Sequence, residues 1–143
     1  MEYPARFVKD KVSGGFVVTF PDVPEAITEG DTLAEAMRMA EEALELALTF
    51  QTERSKDLPV PGPLKRGMRM VSIPALSEAK FMLYSALRSA GIRKVHLALR
   101  LGCSPSQVDR LLDIKHKSRM DRLQAAFAAI GKRLSVQVRD RAA

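Results

Sequence analysis

With 143 residues and 15.8 kDa, 46% of them apolar and 28% charged, the chain has room for one ordinary domain or two small ones with modest cores. No run approaches the roughly 18 apolar residues of a membrane span, and residues 1–4 lack the basic start of a secretory leader, so the cytoplasm is the expected compartment and a membrane is not an expected partner. The net charge of +6 is unevenly divided: residues 1–74 hold 9 Lys/Arg against 12 Asp/Glu, a net of −3, and residues 75–143 hold 14 against 5, a net of +9. A basic half beside an acidic one predicts a polyanionic partner for the second and a different task for the first. Cys103 stands alone and cannot form an internal disulfide. With only His96 and His116 beside it there is no zinc-type ligand spacing, and neither a metal nor any other cofactor is expected.

The first elements read as a hairpin. "YPARFVKD" (residues 3–10) and "GGFVVTFPDV" (residues 14–23) are β-branched and aromatic runs flanking "KVSGG", where Gly14 and Gly15 supply the backbone freedom a tight turn needs. After "PDVP", the segment "EAITEG" adds a third strand that Gly30 ends. "GDTLAEAMRMAEEALELALTF" then changes period: Leu33, Met37, Ala40, Leu44, Ala47 and Leu48 recur at the spacing of one helical face. Thr32 and Glu35 fit a capping box at its start. Residues 55–67, with three prolines and two glycines, form a loop, and "MRMVSIP" (residues 68–74) returns as a strand, which completes a βββαβ module.

Asp10, Asp22, Glu25, Glu29 and Asp31 lie at strand ends, where carboxylates could gather two metal ions for nuclease chemistry. Asp beside Pro or Gly is more often a turn former or cap. No His, Lys or Ser stands at a spacing that completes an acid, base or nucleophile set, so no catalytic residue is assigned and the chain is not expected to be an enzyme.

From Ser77 the periodicity is helical. Ser77 and Glu78 open a helix with Ala79, Met82, Leu83, Ala86, Leu87 and Ala90 as its apolar positions, and Gly91 closes it. "HLALRLGCSPSQVDRLL" (residues 96–112) then fills the slots of a helix-turn-helix. Ala98 is the small residue where two helices cross, Gly102 the turn residue, and Val108 the buried β-branched residue of the second helix, with Leu97, Leu101, Cys103 and Leu111 at the other apolar positions. Ser104 caps the second helix and Pro105 suits its first position. If that helix enters a major groove, Ser104, Ser106, Gln107 and Arg110 are its candidate contacts, Gln suiting adenine and Arg guanine. Lys94, Lys115, Lys117 and Arg119, with His116 and Ser118, are candidate phosphate contacts. Asp109 and Asp113 would repel phosphate and read as partners of nearby cations. A last helix covers "KSRMDRLQAAFAAIG", and "RLSVQV" (residues 133–138) favours a short C-terminal strand. The fold class is therefore α+β, with domains at 1–74 and 75–143.

The stretch "GGFVVTFPDVPEAITEGDTLAEAM", followed by a proline-rich linker and a helix-turn-helix, resembles the HicB antitoxins of bacterial toxin–antitoxin pairs across nearly the whole chain. That resemblance implies a partial RNase H-like N-terminal module without catalytic function, which masks a small RNA-cleaving HicA-type toxin. It also implies a C-terminal domain that binds operator double-stranded DNA and represses the operon. A dimer or higher homo-oligomer is implied too, because two reading helices must sit about one DNA turn apart on a palindrome. The tail at 133–138 and the first long helix are candidates for that contact. Charge complementarity toward a basic toxin assigns its contact to Phe20, Asp22, Glu25, Glu29 and Asp31. The competing reading is a transcriptional repressor whose N-terminal domain senses a ligand or a protein.

Overall fold

The computed structural model describes residues 1–141, and the chain divides into two compact units, Met1–Glu78 and Ala79 onward. The first contains β1 (Glu2–Lys9), β2 (Phe16–Thr19), β3 (Ile27–Gly30), α1 (Leu33–Glu53) and β4 (Met68–Ser72). The sheet order is β3-β2-β1-β4, with every neighbouring pair antiparallel. At the β1–β2 turn, Asp10 accepts the Val12 N–H and the Ser13 hydroxyl, both at 3.0 Å, and Gly14 takes a left-handed φ of 76°. Those donors hold the Asp10 carboxyl below its usual range.

Alternation along the strands turns Tyr3, Ala5, Val18 and Val71 into the core, where α1 lays Ala36, Ala40, Leu44, Ala47 and Leu48 against them. The helix is rotated from the face its sequence predicts: Leu33 and Met37 are only half-buried, and Ala36 is buried in their place. The cause is contact with β3. A Cβ added at Gly30 would lie 2.7 Å from the Ala36 Cα, so this approach of the helix backbone needs a glycine on the strand. Thr32 Oγ1 accepts the Glu35 N–H at 3.1 Å, as expected of a cap, but the Glu35 carboxylate accepts from Asp31 N–H at 3.0 Å, one residue earlier than a capping box requires.

Two bonds strap the proline-rich loop to the sheet. The Tyr3 hydroxyl donates to the Pro59 carbonyl at 2.6 Å, and the Gly62 N–H donates to Asp22 Oδ2 at 2.8 Å. Burial, and then the neighbouring Asp22 charge, push the Tyr3 phenol pKa upward.

The remaining elements are α2 (Ala75–Ala90), which begins in the first unit and continues into the second, α3 (Lys94–Leu101), α4 (Pro105–Leu112) and α5 (Met120–Ala129). Two expectations are corrected here. Ser77 is no cap: the Pro74 carbonyl accepts the Glu78 N–H at 2.9 Å, so α2 has already started, and the Ser77 hydroxyl donates to Glu45 of α1 at 2.6 Å. Residues 133–138 form no strand; their backbone has no neighbouring strand to bond, and Val136 and Val138 stand 76% and 91% exposed.

The raised Tyr3 pKa gives a pH prediction. A group whose folded pKa lies above its unfolded value contributes stability that is complete below the unfolded value, here 10.0, and is lost as pH rises through the folded one. Wild type should exceed Tyr3→Phe by about 1 kcal/mol in urea unfolding at neutral pH. That margin should close above pH 10.0. A margin that stays constant through that window refutes the link.

Candidate functional site

In the second unit, eight-residue α3 and eight-residue α4 are joined by the three residues Gly102, Cys103 and Ser104. Helices this short do not persist alone, so both ends and one face of each must be satisfied by neighbours. Gly102 ends α3 with φ 66° and ψ 35°, which lets its N–H bond Leu99 O at 3.3 Å and lets Cys103 N–H bond Ala98 O at 3.0 Å. A side chain at that position would be strained. Ser104 opens α4 with a reciprocal cap: its hydroxyl accepts the Gln107 N–H at 3.3 Å, and Gln107 Oε1 accepts the Ser104 N–H at 3.2 Å. Leu97 and Ala98 of α3 and Val108 and Leu111 of α4 are buried, together with Leu123, Ala126 and Phe127 of α5. Lys94 Nζ lies 2.8 Å from Asp109 Oδ1 and ties α3 to α4 on the outside. Arg100 of α3 donates to Ala129 O at the end of α5, at 3.2 Å.

The outer face of α4 carries Ser106, Asp109 and Arg110, all exposed, and among the described residues the Arg110 guanidinium has no hydrogen-bond or ion-pair partner. Beyond α4 the chain turns sharply. Asp113 accepts the Lys115 N–H at 3.0 Å, and His116 Nδ1 lies 3.0 Å from Ser118 Oγ. A recess forms there, lined by Gln107, Arg110, Leu111, His116, Lys117, Ser118, Arg119 and Arg122. The predicted contacts thus fall into three groups. Ser104, Ser106 and Gln107 are engaged at the start of α4, with Ser106 Oγ 3.2 Å from Ser104 Oγ. Arg110, Lys117 and Arg119 gather round the recess, Arg119 also pairing with Asp121 at 2.8 Å. Lys94 stands apart on α3, and Lys115 is exposed in the turn.

Sequence reasoning missed Arg122 and Lys80. Lys80 of α2 is 1% exposed, and its ammonium donates to the Arg110 carbonyl at 2.8 Å and to Ser118 Oγ at 2.7 Å. Burial lowers its pKa, and the Asp113 charge partly opposes that. A signal existed: Lys80 sits three residues before Leu83 and seven before Leu87, on the buried stripe of α2, whereas Met82, predicted as core, lies on the other face and is 50% exposed.

In the first unit, the five residues predicted to meet a partner separate. Phe20, the residue after β2, is 2% exposed and packs in the core, two positions on from the buried Val18. Asp22 holds the proline-rich loop, and Glu25 accepts from Gln51 Nε2 at 2.9 Å. Glu29 and Asp31 do share a recess, with Asp10 and Glu35 beside them and Phe16, Val17 and Met39 as apolar lining. Among the described residues no group of His, Cys, Asp or Glu is arranged to hold a metal ion, and no helix is long and apolar enough to cross a membrane.

Comparison with known proteins bears on this arrangement. Residues 2–82 match a family described as HicB-like antitoxin of bacterial toxin-antitoxin systems. The chain is 34% identical to Antitoxin HicB 1 of Photorhabdus laumondii, over 96% of this chain and 87% of that protein, and 35% identical to Antitoxin HicB of Escherichia coli, over 95% and 98%. The chain belongs to the HicB-like antitoxin family. Among solved structures it is similar to the N-terminal domain of the Burkholderia pseudomallei antitoxin HicB, with 25% identity and a TM-score of 0.42, covering 52% of this chain and 99% of that one. The two relatives align with both units of this HicB-like chain, whereas the family match ends within α2.

The close fit of α3 on α4 can be tested at Ala98, which is 2% exposed. Ala98→Leu should cost about 1–3 kcal/mol through overpacking, read as a lowered thermal midpoint. An unchanged midpoint would show that the two helices do not meet there.

Proposed function

We propose that this HicB-like antitoxin neutralises a small, basic, RNA-cleaving toxin of the HicA type through its first unit. In the same reading it represses its own operon by setting α4 of a helix-turn-helix into the DNA major groove. The observation that carries the DNA reading is the outward face of α4: Ser106 and Arg110, whose guanidinium has no partner among the described residues, in the half of the chain with net charge +9, while Ala98, Gly102 and Val108 occupy the structural slots. Arg110 reads guanine, and Ser106 adapts to the adjoining base. Gln107 is mainly a cap, since an adenine contact would cost its bond to the Ser104 N–H. Lys115 and Lys117 contact phosphates. Lys94 and Arg119 join them by exchanging their exposed carboxylate partners for DNA.

For the toxin, the acidic recess with Glu29, Asp31, Asp10 and Glu35 supplies complementary charge, and Phe16 and Val17 supply apolar contact. For dimerisation, pairing of residues 133–138 with the same segment of a second copy would satisfy their backbone and cover Val136 and Val138. Such a dimer brings two α4 helices to a palindrome. Both partners place the working protein in the cytoplasm.

Arg110→Ala should weaken binding to a duplex from its own promoter by about 1–3 kcal/mol, and Lys117→Ala should lower affinity nearly equally for promoter and scrambled duplexes. Fluorescence anisotropy across a salt series checks both, and promoter binding by Arg110→Ala equal to wild type would remove α4 as the reader. For the toxin, co-expression with the reading frame beside the gene should yield a complex. Glu29→Lys with Asp31→Lys should weaken that complex about tenfold in titration calorimetry. Undiminished capture would move the toxin to another surface.

A further inference from the structure

The last carbonyls of any α-helix lack intrahelical N–H partners, and in an eight-residue helix they are a large share of the whole. In α4 the Asp109 carbonyl is taken by the Asp113 N–H at 2.9 Å, so Arg110 O is the first left beyond the helical ladder. Three bonds converge around it. Lys80 Nζ donates to Arg110 O at 2.8 Å and to Ser118 Oγ at 2.7 Å, and the Ser118 hydroxyl donates to the same Arg110 oxygen at 3.2 Å. With that hydroxyl proton committed, His116 Nδ1, 3.0 Å away, is the donor in its contact with Ser118.

We propose that Lys80 is a positioning residue for DNA reading: its ammonium clamps the main chain of Arg110, the residue that reads a base, to the turn that carries the phosphate contacts. The inference rests on the proposed reading role of α4. Electrostatics favour the clamp, because a cation at a helix C-terminus meets the partial negative charge of the exposed carbonyls. Packing alone does not explain it. Lys80 occupies a site on the apolar stripe of α2, where a methionine would fill similar volume without the cost of burying a charge. What a methionine would not do is hold Arg110 O and Ser118 Oγ together. The turn at 113–119, with Lys115 and Lys117, would then shift independently of α4.

The roles separate in one experiment on the full chain. Lys80→Met and Ser118→Ala are compared with wild type for binding to a duplex from the chain's own promoter and to a scrambled duplex, over a salt series, alongside thermal unfolding and hydrogen exchange. In Lys80→Met the preference for the promoter duplex should fall about tenfold, the scale of one lost base contact. Affinity for the scrambled duplex, the salt slope and the thermal midpoint should hold. Amides of residues 110–118 should exchange faster while those of α3 do not. Ser118→Ala should lose preference in the same direction by less. A folded Lys80→Met chain that keeps its preference, or that loses affinity equally for both duplexes, overturns the proposal. Should Lys80→Met fail to fold, Ser118→Ala decides, and unchanged preference there overturns it. Wild type without any preference for the promoter duplex overturns the α4 reading itself, a result visible before any variant is made.

Discussion

An α-helix of eight residues cannot satisfy its own ends, and the second half of this protein is built around that constraint. Both helices of the candidate reading motif are this short. Each therefore borrows its stability from groups outside it: Gly102 closes α3, Ser104 and Gln107 open α4, and Lys80 with Ser118 receives the carbonyl that α4 leaves over. The same device recurs where Arg100 holds the end of α5. A motif assembled from borrowed caps is stiff where its caps are met, and a helix that reads bases must be stiff for a side chain such as that of Arg110 to meet one base rather than several.

The two halves use charge in opposite ways. In the first, carboxylates are fasteners: Asp10 shapes a turn, Glu35 reaches back to the start of α1, Asp22 holds the proline-rich loop, and Glu25 meets Gln51. Bonded in this way they shape turns and hold loops and helix ends. In the second half, the cations outnumber the carboxylates so far that Lys94 and Arg119 can be paired while Arg110, Lys117 and Arg122 still line one recess. In the function proposed above, this division matches a protein partner for the first half and a nucleic acid for the second.

Much of the local structure was legible beforehand because it depends on short-range chemistry. The turn at Gly14, the cap at Thr32, the loop at 55–67 and the slots at Ala98, Gly102 and Val108 all rest on residues within a few positions of one another. Misreadings occurred where a distant partner intervened. Ser77 has every property of a cap, yet a helix already started by Pro74 turns its hydroxyl to Glu45. Residues 133–138 have the composition of a strand, and a strand without a neighbour has nothing to bond. The strand-to-helix segment at 20–31 looked like one acidic surface, but Phe20 is buried, and loop contacts draw Asp22 and Glu25 away from Glu29 and Asp31.

By itself the sequence determined the order of the elements up to α5, the division of charge, the turn at Gly102 and the family resemblance, because periodicity, turn chemistry and motif spacing are properties of neighbours along a chain. Only the tertiary structure decided which face α1 buries, which carboxylates remain together and what Lys80 does. A lysine read along the chain is a solvated cation by default. Its burial beneath Arg110 and Ser118, residues 30 and 38 positions away, follows from how the helices fold back on one another.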